Sequence, residues 1–232
     1  MGNGQLAGID ADQYSQGGET PLVRADRPAE ETGASLILAH GAGAPMDSPF
    51  MAEITEKLVA RGIAVYRFEF AYMAARRVTG RRRPPDPQAR LLEQWRAVYR
   101  SVRQQTAGLL AIGGKSMGGR MASLLSDEIQ VDALVCLGYP FYAVGKPDKP
   151  RVAHLAELRT PSLIVQGERD ALGDREAVAA FALSPTIHLE WLEAADHDLK
   201  PLKRSGFTHS QHLEAAADLV AAFLLDRLQR KP

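Results

Sequence analysis

Residues 108–125 read GLLAIGGKSMGGRMASLL, and the hydrophobic period changes in the middle of that stretch. Leu109, Leu110, Ala111 and Ile112 form an unbroken apolar run, the pattern of a strand buried on both faces of a parallel sheet, and Gly113 and Gly114 close it. Met117, Met121, Leu124 and Leu125 then recur at helical spacing. Between the two periods, Gly114, Lys115, Ser116, Met117 and Gly118 spell G-x-S-x-G. The expected local structure is strand, sharp turn, helix, with Ser116 at the tip. The flanking glycines let strand and helix approach, and a strained serine backbone lifts the hydroxyl clear of the sheet.

The pentapeptide alone recurs by chance in glycine-rich turns, where the serine is merely solvated. Its placement between a buried-strand run and a helical run gives it meaning. Gly114, Lys115 and Ser116 also resemble the tail of a phosphate-binding P-loop, but that motif needs a glycine where this chain has Leu109, and a loop where it has a strand.

Toward the N-terminus, Ser35 to Ala39 reads as a strand that runs straight into His40, Gly41, Ala42, Gly43 and Ala44. Small residues directly after a buried strand let backbone amides approach a ligand, as an oxyanion hole requires. Ser48 and Pro49 then open a helix that Gly62 ends, and Ile63 to Phe68 is the next strand. Phe70 to Pro87 reads as a loop holding Arg76, Arg77, Arg81, Arg82 and Arg83. A solvated basic loop is the simplest reading, and recognition of an anionic group is the functional one, because arginine forks match carboxylate and phosphate. Nucleic-acid binding lacks interleaved aromatic residues here. Leu91, Trp95, Val98 and Val102 mark an amphipathic helix leading to the Ser116 strand.

Toward the C-terminus, strands are expected at Val131 to Leu137, Pro161 to Val165 and Ile187 to Leu192. Asp174 caps a helix carrying Val178 and Phe181, and Thr208 with Gln211 forms a capping box for the closing helix. The linker from Gly138 to Thr160 is too short for a large lid. Strands alternating with helices give an α/β fold, a mostly parallel twisted sheet with helices on both faces. Residues 1–33 form an N-terminal arm or edge element, and residues 34–232 form one domain.

A serine hydroxyl is a poor nucleophile at neutral pH and needs a histidine base oriented by an acid. On such a sheet they follow the serine in the order acid, then histidine. Asp170, in the turn after Leu163 to Gly167, is the expected acid, with Glu168 and Asp174 as lesser alternatives. His197, in Ala195-Asp196-His197-Asp198 after the last strand, is the expected base. His188 alternates outward on a strand, His209 and His212 start a helix, His154 lies in a loop without evident partners, and His40 reads as structural. Met117, Ala42 and then Gly43 are the expected oxyanion donors.

Composition sets the outer bounds. The 232 residues suit one well-buried domain, and 28 basic against 28 acidic residues give no overall pull toward nucleic acid or membrane. The single cysteine, Cys136, sits in the apolar run VDALVCLG and reads as a buried hydrophobe. One cysteine allows no internal disulfide, which suits a reducing cytoplasm. The N-terminus lacks the basic and apolar regions of a signal peptide, and no run approaches transmembrane length. A soluble, cytoplasmic protein without metal or cofactor is the expectation.

The stretches HGAGA, GGKSMGGR, QGERD and DHD together resemble the α/β-hydrolase fold in a compact, lidless form. AHGAGAPMDSPFM, RRRPPDP and GYPFYAVGKP narrow the likeness to a dienelactone-hydrolase-related bacterial group, akin to a testis-expressed mammalian protein and to a subunit of a chromatin acetyltransferase complex. The likeness spans about residues 34–228. It implies Ser116, Asp170 and His197 as a catalytic triad. The ordered triad and the glycine loop lead to the expectation of a small acyl substrate, an ester before a thioester or amide, with Arg81, Arg82, Arg83 and Tyr139 as candidate substrate contacts. Dienelactone hydrolases proper carry a cysteine nucleophile, so their substrate does not carry over to a chain with Ser116. The rival expectation is a binding or scaffold module that keeps the fold without turnover.

Overall fold

The computed structural model describes residues 21–230. Strands β1 (Val23–Asp26), β2 (Ala34–Ala39), β3 (Ala64–Phe68), β4 (Leu109–Lys115), β5 (Ala133–Leu137), β6 (Ser162–Gly167) and β7 (Ile187–Leu192) form one sheet in the order β1-β3-β2-β4-β5-β6-β7. All neighbours are parallel except β1 and β3, which pair antiparallel at the edge. The helices are α1 (Pro49–Val59), α2 (Ala71–Thr79), α3 (Gln88–Arg103), α4 (Met117–Leu125), α5 (Arg175–Ala179) and α6 (His209–Gln229).

Every residue of β2, β3, β4, β5 and β6 is buried, because helices cover both faces of the sheet. Alternate side chains go to opposite layers. Ile37, Tyr66, Ile112, Leu134 and Ile164 pack with Trp95 and Val98 of α3 and Met121 of α4. Leu36, Val65, Ala111, Val135 and Leu163 pack with Ile54 and Leu58 of α1 and Leu213, Val220 and Leu224 of α6. Trp95 is fully buried, edge-on to Phe68 with ring centroids 4.7 Å apart.

Chain order reverses at β2, which has β3 on one side and β4 on the other. At such a switch point the loops leaving the two strands diverge and open a crevice at the carboxyl edge of the sheet. The HGAGA segment leaves β2 there and Ser116 leaves β4.

One element departs from the expectation of a loop between Phe70 and Pro87: residues Ala71–Thr79 are helical. The buried positions of α2 are the adjacent Tyr72, Met73 and Ala74, so a nine-residue helix shows no apolar stripe in sequence. Gly80 in the left-handed conformation (φ 67°) ends it. The caps expected of Asp174 and of Thr208 with Gln211 are formed, whereas Ser48 precedes α1 without a side-chain cap. Between β5 and β6 the chain makes one short 3-10 turn at Ala153–Ala156, and no large lid covers the crevice among the described residues.

Candidate active site

Ser116 is where β4 becomes α4. Its N–H donates to Leu137 O at 3.0 Å, extending the sheet, and its carbonyl accepts from Arg120 N at 3.0 Å, starting the helix. Meeting both demands in one residue forces φ to 51° with ψ at −118°, a conformation disfavoured for a residue with a Cβ. Close packing explains the glycines around it: a Cβ at Gly114 or at Gly118 would each lie 2.6 Å from Ala39 O. The turn therefore brings α4 against the end of β2.

His197 arrives from the turn after β7. Its Nε2 lies 2.8 Å from Ser116 Oγ and its Nδ1 lies 2.7 Å from Asp170 Oδ2. Asp170 accepts at Nδ1, so the proton there belongs to the imidazole and Nε2 is free to accept from the serine hydroxyl. Asp170 is fully buried; Leu172 N donates to Oδ1 at 2.8 Å, and Gln166 Nε2 is a second donor on Oδ2 at 2.8 Å. Gln166 is itself buried; it accepts from Tyr139 N at 2.7 Å and donates to Gly173 O at 3.0 Å. This glutamine locks the Asp170 carboxylate, and nothing in the sequence marked it beyond its place in QGERD.

The glycine segment lies against the serine, with an added Gly41 Cβ only 3.6 Å from Ser116 Cβ. Its carbonyls are held from behind. His40 Nδ1 reaches Gly41 O at 2.7 Å, the Tyr72 hydroxyl donates to Ala42 O at 3.0 Å, and Arg76 Nη1 donates to Gly43 O at 3.2 Å. In a trans peptide the N–H points opposite to the C=O. Anchoring these carbonyls toward α2 therefore turns the amides of Ala42, Gly43 and Ala44 the other way. Met117, the first residue of α4, carries an N–H with no partner inside the helix.

His40 is fully buried and accepts from Phe70 N at 3.1 Å on Nε2, and burial pushes its pKa down. It is a neutral strut. His209 Nε2 meets Asp198 O at 2.9 Å, and His212 is buried with Nδ1 at 3.1 Å from Leu199 O. Glu168 pairs with Arg175 at 2.6 Å and accepts from Ala194 N, and Asp174 caps α5 at Ala177 N.

A second serine–histidine contact lies deeper. His154, which the sequence left without partners, sits 2.8 Å from Ser123 Oγ. Ser123 is buried in α4 and donates to Arg120 O at 2.8 Å. Burial and the Arg120 charge lower the His154 pKa to about 4, and no carboxylate orients this imidazole among the described residues. Tyr139 belongs to the same cluster: its ring is fully buried and its hydroxyl lies 3.3 Å from Arg151 O and 3.4 Å from Ser123 Oγ. Arg81, Arg82 and Arg83 follow Gly80 on an exposed stretch and form no ion pair among the described residues. Cys136 is buried under α4, with its thiol pKa pushed up by desolvation.

A seven-stranded sheet of this order, with a strained serine at the tip of the β4–α4 turn, defines an α/β hydrolase. Residues 32–225 match the family described as alpha/beta hydrolase domain, and the chain belongs to that family. Among solved structures, a serine hydrolase homologue from Coxiella burnetii is 21% identical, with a TM-score of 0.66 over 87% of this chain and 90% of that one. A serine hydrolase without lid from Xanthomonas campestris is 20% identical, with a TM-score of 0.65 over 90% of each chain. Est1E from Butyrivibrio proteoclasticus, solved with ferulic acid bound, is 18% identical, with a TM-score of 0.68 over 90% of this chain and 96% of that one.

Proposed function

We propose that the protein is a serine hydrolase that cleaves a small ester through an acyl-enzyme intermediate. The observation that carries this reading is the unbroken hydrogen-bonded chain from Ser116 through His197 to Asp170, set at the carboxyl edge of the sheet.

In this reading His197 Nε2 takes the Ser116 proton as Oγ attacks the acyl carbonyl carbon, and Asp170 stabilises the imidazolium that forms. The carbonyl oxygen becomes an oxyanion held by the amides of Met117 and Ala42, with Gly43 next in line. Losing one such donor costs about 3 to 4 kcal/mol of transition-state stabilisation. The imidazolium then protonates the leaving alkoxide, the C–O bond breaks, and the acyl group stays on Ser116. Water, deprotonated by the same imidazole, attacks the acyl carbon and releases the acid. A cytoplasmic setting fits this reading, since the single Cys136 is buried and needs no oxidising compartment.

Turnover of p-nitrophenyl esters of increasing acyl length, with a feruloyl ester added because Est1E binds ferulic acid, tests the proposal. Wild type and Ser123→Ala should hydrolyse at least one of them, and Ser116→Ala none above background. Activity that survives Ser116→Ala but is lost in Ser123→Ala would move the nucleophile to the deeper pair.

A further inference from the structure

Lys115 ends β4 and precedes the serine, yet its side chain does not run out to solvent. It is buried, Nζ donates to His197 O at 2.8 Å and pairs with Asp198 Oδ1 at 3.1 Å, and the Phe50 ring centroid lies 5.5 Å from Nζ. An ammonium held this far from water needs such partners to offset its desolvation. Both of its hydrogen-bonding partners belong to the turn that carries the base.

That turn is tied internally by Asp196, whose Oδ1 accepts from Asp198 N at 2.9 Å and Lys200 N at 3.0 Å. Lys115 ties it in turn to the strand that carries the serine. Gly138 leaves room for this arrangement: a Cβ there would lie 2.6 Å from His197 O, 3.3 Å from Lys115 Nζ and 3.5 Å from His197 Nδ1. The same distances place the ammonium within about 7 Å of the imidazole ring.

We propose that Lys115 is a positioning residue for the base, resting on the hydrolase reading above. Its ammonium fixes the His197 main chain so that Nε2 meets Ser116 Oγ, and it sets a positive charge within about 7 Å of the ring. The other charged groups facing this turn are Asp170 on Nδ1, Asp196 and Asp198 beside the histidine, and His209 from α6, which touches Asp198 O. Lys200 of the same turn is exposed and Arg169 donates to Ala194 O at 3.0 Å, whereas Lys115 brings its positive charge from a buried position. Lowering of its own pKa by burial is countered by Asp198 and Asp170, which favour the charged form.

Lys115→Met removes both the donor and the charge. For a p-nitrophenyl ester, kcat should fall about tenfold or more while KM changes little, since a misplaced base costs rate rather than ground-state binding. The acidic limb of kcat/KM should move to higher pH, because removing a nearby cation favours the imidazolium. The His197 ring titration, followed by NMR, should move upward with it. Lys115→Arg should bring the limb back toward wild type. Unchanged kcat, or a fall in kcat with an unshifted limb and ring titration, overturns the proposal. If Lys115→Met fails to fold, Lys115→Gln carries the same decision, keeping a donor without the charge. Absence of turnover in wild type would instead overturn the hydrolase reading, and the NMR titration would still decide the role of Lys115.

Discussion

Ser116 shows how one residue can serve two elements and gain chemistry from the conflict. Its N–H still belongs to the sheet and its carbonyl already belongs to α4, so the side chain is left pointing out of both. The partners that meet it follow two other strands, β6 and β7, at the same edge of the sheet, and each has supports of its own: Asp170 is held by Gln166 and Leu172, and the His197 main chain by Lys115. In Asp170→Asn one flip of the amide sets its NH2 against the Leu172 N–H, and the other sets it against both the Nδ1–H of His197 and the Gln166 amide. The imidazole then takes the wrong tautomer, and kcat should fall by about 10⁴ with the fold intact, as steady-state kinetics beside a circular dichroism spectrum would show. Tyr72→Phe removes the donor on Ala42 O and should lower kcat more than it changes KM, measured on the same ester.

At the level of elements, much of this arrangement is legible in the sequence, and the reasons are physical. β4 and α4 announce themselves because a fully buried strand must be continuously apolar and a helix on a sheet must carry a stripe. Asp170 and His197 could be placed because each follows a strand run and so falls at one edge of the sheet. Helix α2 was hidden because it is short and its buried residues are contiguous, and with it went the rear support of the glycine segment by Tyr72 and Arg76. Gln166 and Lys115 were hidden for another reason: a polar residue at a strand end looks solvated until the fold buries it. Gly118→Ala should test the close approach of α4 to β2, since its Cβ would meet Ala39 O and His40 O at 2.6 Å. The expected cost is about 1 to 3 kcal/mol in chemical denaturation, with loss of turnover because the serine turn must shift. The exposed Arg81 to Arg83 stretch makes a separate prediction. Replacing the three by glutamine should raise KM for a carboxylate-bearing ester more than for its neutral counterpart, and equal effects would assign these arginines to solvent alone.

For the whole molecule, the two core layers and the histidines buried between elements set how stability responds to pH. Burial lowers the pKa of His40, and burial with the Arg120 charge brings His154 to about 4, from an ordinary value of 6.5. Between those values the unfolded chain binds protons that the folded chain does not. Stability contributed this way is complete above pH 6.5 and is lost as pH falls toward 4. Thermal melting should therefore move to lower temperature between pH 7 and pH 5, and His154→Gln should show a shallower dependence over that interval. The fold that tolerates this has helices on both faces of the sheet, an uncovered carboxyl edge, and no helix among the described residues long and apolar enough to cross a membrane. Everything proposed for the molecule depends on the Ser116 hydroxyl being activated. The most direct measurement is reaction of the purified protein with a fluorophosphonate, followed by intact mass. A single adduct on wild type and on Ser123→Ala, absent from Ser116→Ala and from His197→Ala, is the predicted result. Wild type that is folded yet unlabelled, or an adduct that persists in Ser116→Ala, would contradict it.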